Sequence, residues 1–170
     1  GRTEGDMTYV KYKEQVFKVS SDIISFANDS SYNIVSKLQA LVDISEVKSV
    51  TVEYNGAEHT IDITHNDSDM TFVLDGQKVD TKITQAIYKS IVGLAVDGVY
   101  KDETLGDTVM KIKYKGIKSS SDTEIEFKSI DDLYCALIRN GKTEFTIKKS
   151  KLNEFMDLFN TYVENPERQG

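Results

Sequence analysis

The chain reads as an α+β domain in which antiparallel sheet is built from tandem ββββα units, with helices packed on one face. Three observations predict this. Two stretches, Val50 to Asp97 and Met110 to Tyr162, give the same signals in the same order. Each has runs of alternating apolar and polar residues, the period of a half-buried strand. Each then closes with apolar residues at helical spacing. The composition fits a folded domain: 170 residues, 39% apolar and 29% charged, enough chain to bury roughly 70% of its unfolded surface.

In chain order, Gly1 to Asp6 is polar. Thr8 to Val19 reads as a hairpin turning at Lys13-Glu14, with Val10 and Tyr12 on one strand face and Phe17 and Val19 on the other strand's face. Ser20-Ser21-Asp22 resembles a helix cap for a short helix, Ile23 to Ala27, which Asn28 to Ser31 breaks. Ser36 to Val42 reads as a second short helix or turn. The first full unit follows. Val50 and Val52 lie on one face of a strand, and Asn55-Gly56 supplies the hairpin turn. His59 to Thr64 returns with Ile61 and Ile63 inward. His65 to Asp69 is a polar loop, and Met70 to Leu74 is the third strand. Asp75-Gly76 turns it into a short fourth, Gln77 to Val79. Asp80 or Thr81 caps a helix whose stripe is Ile83, Ile87, Ile91 and Leu94, with Gly98 as its stop.

A charged connector, Lys101 to Asp107, leads to the second unit. Its strands are Val109 to Lys115, Thr123 to Lys128, Leu133 to Arg139 and Lys142 to Lys148. A Ser-rich insertion, Ile117 to Asp122, separates the first two, and Asn140-Gly141 is a strong hairpin signal. Ser150 is the expected cap of a last helix with Leu152, Phe155, Met156, Phe159 and Val163 on its buried stripe, stopped by Pro166. Tyr54 and Tyr114 lie 60 positions apart; Asp75-Gly76 and Asn140-Gly141 lie 65 apart, the insertion accounting for most of the difference. Val16 to Ser20 aligns with Glu144 to Lys148 at 128, about two periods, and Ile24 then falls on Leu152. The expected organisation is residues 1–46 as the tail of a preceding unit plus linker, 47–100 as the first whole unit and 101–170 as the second. With no initiator Met, Gly1-Arg2 does not look like a native start, and a piece of a longer protein is the expectation.

Charge and composition narrow the function classes. A net charge of −7 and a pI near 4.9 repel phosphate backbones and anionic lipid surfaces, so neither nucleic acid nor electrostatic membrane docking is expected. No apolar run approaches the ~18 residues of a membrane span. One cysteine, Cys135, excludes an internal disulfide.

Candidate chemistry is sparse. His59 and His65 flank one strand with Asp62, Asp67 and Asp69 nearby, but Asp62 points to the opposite face and no third His or Cys completes a zinc-like set. Asp67-Ser68-Asp69 opens like a calcium loop, yet Phe72 stands where glycine is needed and Lys78 where a bidentate glutamate is needed. Cys135 has no histidine in its own unit to activate it, so it reads as a buried structural thiol. The tyrosines, among them Tyr9, Tyr12, Tyr54, Tyr88, Tyr100, Tyr114, Tyr134 and Tyr162, suit packing with a wet hydroxyl, or a ligand-binding surface. No phosphate loop, nucleophile elbow or HExxH motif occurs. No catalytic, cofactor or metal residues are therefore assigned.

Three stretches, YVKYKEQVFKVSSDIISFA, the linker into DISEVKSVTVEYNG, and FVLDGQKVDTKITQAIYKSIVGLAVDGVY, resemble the bacterial family labelled domain of unknown function 4340. In that family a strand reaching an Asx-Gly turn, a short return and a helix recur in tandem. Its members are typically larger, often carry an N-terminal membrane anchor, and some are encoded near ABC-type transport components. The resemblance implies an extracytoplasmic fragment of a membrane-anchored protein, and it carries no catalytic residues. The expectation is a non-enzymatic interaction module with a protein partner, reaching the membrane only through a segment absent from this chain. The alternative is a small-ligand or glycan binder using a tyrosine-lined cleft.

Overall fold

The computed structural model describes residues 2–22, 37–66 and 69–165. The chain divides into two units, residues 1–36 and 37–170. In the first, β1 (Thr3–Glu4), β2 (Met7–Tyr12) and β3 (Gln15–Ser20) form an antiparallel sheet in that order. Tyr12 pairs with Gln15, which puts Lys13-Glu14 in the turn as the alternation predicts. Strand β1 gives regular structure to a polar stretch to which the sequence pattern assigns no element. Phe17 is 45% exposed, whereas its sequence counterpart Phe145 is 2% exposed. The helix expected at Ile23 to Ala27 lies outside the described residues, as does the stop at Pro166.

The second unit is an α+β fold on a nine-stranded antiparallel sheet. Its strands are β4 (Val47–Tyr54), β5 (Ala57–Asn66), β6 (Asp69–Leu74), β7 (Gln77–Val79), β8 (Gly98–Val99), β9 (Thr108–Gly116), β10 (Thr123–Ser129), β11 (Tyr134–Arg139) and β12 (Lys142–Lys148). The order across the sheet is β7-β6-β5-β4-β9-β10-β11-β12-β8. Two meanders thus meet through their first strands. Val50 pairs with Tyr114, Val52 with Ile112 and Tyr54 with Met110. Moving each residue to its counterpart 60 positions away turns the first pair into the third and leaves the central pair unchanged.

Alternation along these strands decides the core. Val50, Val52, Ile61, Ile63, Phe72, Leu74, Met110, Ile112, Ile125, Phe127, Leu137 and Phe145 share one face and are all buried. The turns follow from chemistry. Asp75 and Asn140 sit at φ 49°, followed by Gly76 at 82° and Gly141 at 77°, left-handed positions that Asx and glycine tolerate and that two-residue hairpins require.

Helices α1 (Thr81–Val92) and α2 (Lys149–Glu164) supply the covering layer. Asp80 caps α1 by accepting from the Lys82 N–H at 2.7 Å. Ile83, Ile87 and Ile91 are each 1–2% exposed, and such burial contributes about 2 kcal/mol per side chain. The helix ends at Gly93, whose N–H donates to the Lys89 carbonyl at 2.9 Å, and not at Gly98, which instead opens β8. Leu94 is 2% exposed although it lies past the helix end. In α2 the buried stripe is Leu152, Phe155, Met156 and Phe159; Val163 is half-buried. Ser150 does not cap it. Lys148 holds the cap position with no side-chain bond, and Asp97 supplies a carboxylate from elsewhere: it accepts from the Lys148 N–H at 2.9 Å and the Lys151 Nζ at 2.8 Å.

The connections complete the unit. The stretch read as a short helix or turn, Ser36 to Val42, holds in its described part a turn closed by Leu41 N–H to the Leu38 carbonyl, and a short 3-10 turn follows at Ile44–Glu46. Strand β4 begins three residues before Val50, and β5 runs through His65 and Asn66. Residues 100–107 leave the sheet beside Glu144 (Tyr100 N–H to its carbonyl, 3.0 Å) and rejoin it beside Ser129 (Gly106 N–H to its carbonyl, 2.8 Å). On the face opposite the helices, the paired Ala136 and Thr146 are 0% and 8% exposed.

Candidate functional site

The residues that the sequence offers for chemistry do not converge. His59 stands on the core face of β5 and hydrogen-bonds through Nδ1 to Asp75 Oδ2 at 2.7 Å. Asp75 Oδ1 accepts the Thr60 N–H at 2.8 Å. The His59 ring packs 5.8 Å from Phe159 and 6.0 Å from Tyr54, centroid to centroid. The imidazole therefore ties the β6–β7 turn to β5 and to α2. His65 donates from Nε2 to the Val47 carbonyl at 2.7 Å, holding the start of β4. Asp62 is exposed on the other face. Asp67 and Ser68 lie outside the described residues. Among the described residues no three His, Cys, Asp or Glu side chains come together as a metal-binding group.

Cys135 is fully buried on β11, opposite Ile147. Burial pushes its thiol up, further from the thiolate a nucleophile needs. The tyrosines are dispersed. Tyr54 donates to Asn160 on α2. Tyr114 donates to the Ala40 carbonyl at 2.9 Å and is 1% exposed; burial drives its hydroxyl far above the usual range. Tyr100 donates to the Glu103 carbonyl and Tyr9 to Glu4. Tyr134 and Tyr162 are half-buried, and Tyr12 is exposed. Among the described residues, the cavities lined by Tyr54, by Tyr134 and by Tyr88 each carry that tyrosine alone.

The face opposite the helices is a lattice of paired charge. Lys113 binds Glu53, Lys111 lies 3.7 Å from Glu124 and 3.8 Å from Glu126, and Lys115 lies 3.6 Å from Asp122. Thr51 and Thr60 exchange a hydroxyl hydrogen bond at 3.0 Å across β4 and β5. Such exposed pairs stabilise little, but they leave the lysines of β9 neutralised and present no field of one sign.

Besides the end strands β7 and β8, one end of β6 is open on one side among the described residues. Leu74 and Gln77 flank a two-residue turn and so form a hydrogen-bonded pair. By alternation, Leu74, Phe72 and Met70 direct their N–H and C=O toward the β7 side. Strand β7 ends at Val79, opposite Phe72, because Asp80 turns the chain into α1. Among the described residues no strand faces Met70 on that side. Beside it lies a cavity of about 540 Å³, walled by Ile44, Met70, Phe72 and Tyr88, with Gln85 and Lys89 of α1 at its mouth. Burial and the nearby Asp43 carboxylate push the Tyr88 hydroxyl up. Sequence reasoning did not single out this place. The available signals were the brevity of Gln77–Val79 and the spacing of Lys82, Gln85 and Lys89 along one helical face.

The fold is that of an α+β protein with an antiparallel sheet, one face under helices, in which β6 is paired along only part of its β7 side. No family model, no curated protein and no solved structure matches the chain. Among the described residues no helix is long and apolar enough to cross a membrane.

Proposed function

We propose that the chain is a non-enzymatic interaction module of an envelope-anchored bacterial protein, a relative of the domain of unknown function 4340 family, working outside the cytoplasm beside ABC-type transport components. The observation that carries the interaction role is the contrast between occupied and open polar groups. His59, His65, Asp75, Tyr54 and Tyr114 each hold an internal partner, whereas Met70 presents a strand edge beside an apolar cavity. Strand edges recruit extended partner segments through main-chain hydrogen bonds, and neighbouring pockets set their specificity. The tandem units rest on the internal repeat of the sequence, and the outer location on the family resemblance. The test is affinity capture from native membranes with the immobilised full chain, read by mass spectrometry against a surface-charge-matched control protein. A specific membrane-associated partner is expected; recovery of nothing above background overturns the proposal.

A further inference from the structure

We infer that the Met70 edge accepts an extended segment of a partner protein carrying one apolar side chain and a nearby carboxylate, the apolar group entering the cavity between β6 and α1 and the carboxylate meeting Lys89. This rests on the interaction role proposed above and names the chemistry of its partner. The backbone argument comes first. A strand placed where β7 would have continued forms a hydrogen-bonded pair with Met70, donating to its carbonyl and accepting from its N–H. In such a pair the two side chains share a face. Met70 shares the face of Phe72 and Ile63, the one under the helices. The incoming residue therefore points into the cavity, whose walls are Ile44, Met70, Phe72 and Tyr88. Its volume of about 540 Å³ exceeds a single aliphatic side chain, which admits leucine- or phenylalanine-sized groups.

Charge selects the second feature. The whole chain carries −7, yet residues 77–92 hold three lysines, Lys78, Lys82 and Lys89, against one acid, Asp80. Asp80 is engaged with the Lys82 backbone N–H as the helix cap. No acidic residue lines the cavity, and among the described residues no ion pair engages Lys89. The neighbouring Asp43 turns its carboxylate onto the Ser45 N–H at 2.9 Å and hydroxyl at 2.7 Å. A carboxylate arriving with an extended segment thus finds an unpaired ammonium at an apolar mouth, where complementary charge is read as specificity.

Fluorescence polarisation of the full chain tests this with three labelled, C-terminally amidated hexapeptides: Ser-Leu-Ser-Glu-Ser-Leu, whose leucines and glutamate share one strand face, the same peptide with lysine in place of glutamate, and the leucine–glutamate peptide with N-methylated amides. The leucine–glutamate peptide is expected to bind saturably, the lysine peptide at least about tenfold more weakly, and the methylated one not at all. Gln85→Trp closes the mouth from an exposed helix position and is expected to weaken binding at least tenfold; Lys89→Glu is expected to reverse the order of the two charged peptides. Unchanged circular dichroism establishes that each variant is folded, with Gln85→Glu as the second mouth variant. Absence of binding by the leucine–glutamate peptide, or equal binding to the chain and its folded variants, overturns the inference. Self-association of the chain that Gln85→Trp abolishes assigns the edge to a second copy and also overturns it. If a captured membrane partner binds the chain, Gln85→Trp and Lys89→Glu equally, this edge is not its site while the interaction role stands; if capture fails, the role itself falls.

Discussion

Asp97 is expected to govern how α2 docks, and its removal has a calculable cost. The first turn of α2 carries Lys149 and Lys151 with no acidic residue, and Lys148 offers no side-chain cap. A helix N-terminus with cations and no cap is unfavourable to the exposed N–H groups and to the dipole. Asp97 offsets this: Oδ2 accepts the Lys148 N–H at 2.9 Å, Oδ1 the Lys151 ammonium at 2.8 Å, and the side chain is 18% exposed. Hydrogen bonds to a charged group contribute ~1.5–3 kcal/mol; allowing for overlap between the two and screening at the half-open Lys151, Asp97→Ala should cost about 2 kcal/mol at pH 7. For a unit of this size that lowers the melting temperature by roughly 6–8 °C. Asp97→Asn keeps an acceptor and loses the charge, so about 1 kcal/mol is expected. The pH dependence follows from the direction of the shift. Burial pushes this carboxyl up, but the Lys151 ammonium and the Lys148 N–H outweigh it and hold the group below the usual carboxylate range. As pH falls below about 4, the unfolded chain takes up the proton first. The contribution of Asp97 is therefore complete above that range and fades as pH drops through the folded-state value. Urea denaturation of the chain, Asp97→Ala and Asp97→Asn at pH 7 and near pH 2.5 measures this. A gap between the chain and Asp97→Asn that is as large near pH 2.5 as at pH 7, or an Asp97→Ala cost under about 0.5 kcal/mol at pH 7, refutes the reasoning.

Four further outcomes are expected. Asp75→Ala should lose about 2 kcal/mol by urea denaturation, since it strips the bonds to His59 and Thr60 and forces a non-Asx residue to φ 49°; Asp75→Asn should lose less, because Asn140 makes the same bond to the Glu124 N–H with an amide. Gly116→Ala places a methyl 2.6 Å from the Lys118 carbonyl oxygen and should cost ~1–3 kcal/mol. Ile112→Ala, at a site 0% exposed where the two meanders meet, should cost ~2–5 kcal/mol. Cys135, also 0% exposed with its thiol pushed up by burial, should resist a disulfide reagent in the native chain and react fully in denaturant; rapid native reaction would contradict its place in the core.

Strand positions and tight turns were legible because both are local. Alternation places Val52, Ile61 and Phe127 inward, and Asx-Gly pairs fix the hairpins wherever left-handed backbone is needed. What depends on distant partners was not legible. Leu94 continues the apolar stripe of α1, so the helix reads as running on to Gly98. In the fold Gly93 ends it, and Leu94 is buried by a turn that bonds its N–H to the Ile91 carbonyl at 3.0 Å. Ser150 has the right chemistry for a cap, but the carboxylate that serves α2 comes from Asp97, 51 positions earlier. Strand β8 has no pattern of its own; it exists because Phe145 and Thr146 offer an edge to Val99 and Gly98. The cavity at Met70 draws on Ile44, β6 and α1 together, and no local period marks such a meeting.

The two meanders differ most at their outer ends, and under the proposal above that difference is where a partner strand would find room. Both close their last hairpin in one way: the turn residue donates its N–H to a strand carbonyl and accepts that strand's N–H through its side chain, Asp75 with Thr60 and Asn140 with Glu124. Beyond the turn they diverge. Strand β12 has seven residues and is itself flanked by β8, whose residues pair with Phe145 and Thr146. Strand β7 has three, and Asp80 caps α1 directly after it. A bare edge invites promiscuous pairing, and proteins ordinarily shorten, charge or cover it. At β12 the edge is covered. At β7 it is shortened, which moves the exposed backbone inward to Met70, against the cavity. A strand that joined there would gain a side-chain pocket along with its main-chain bonds, so the shortening that limits random pairing would, under the proposal above, also make this edge selective.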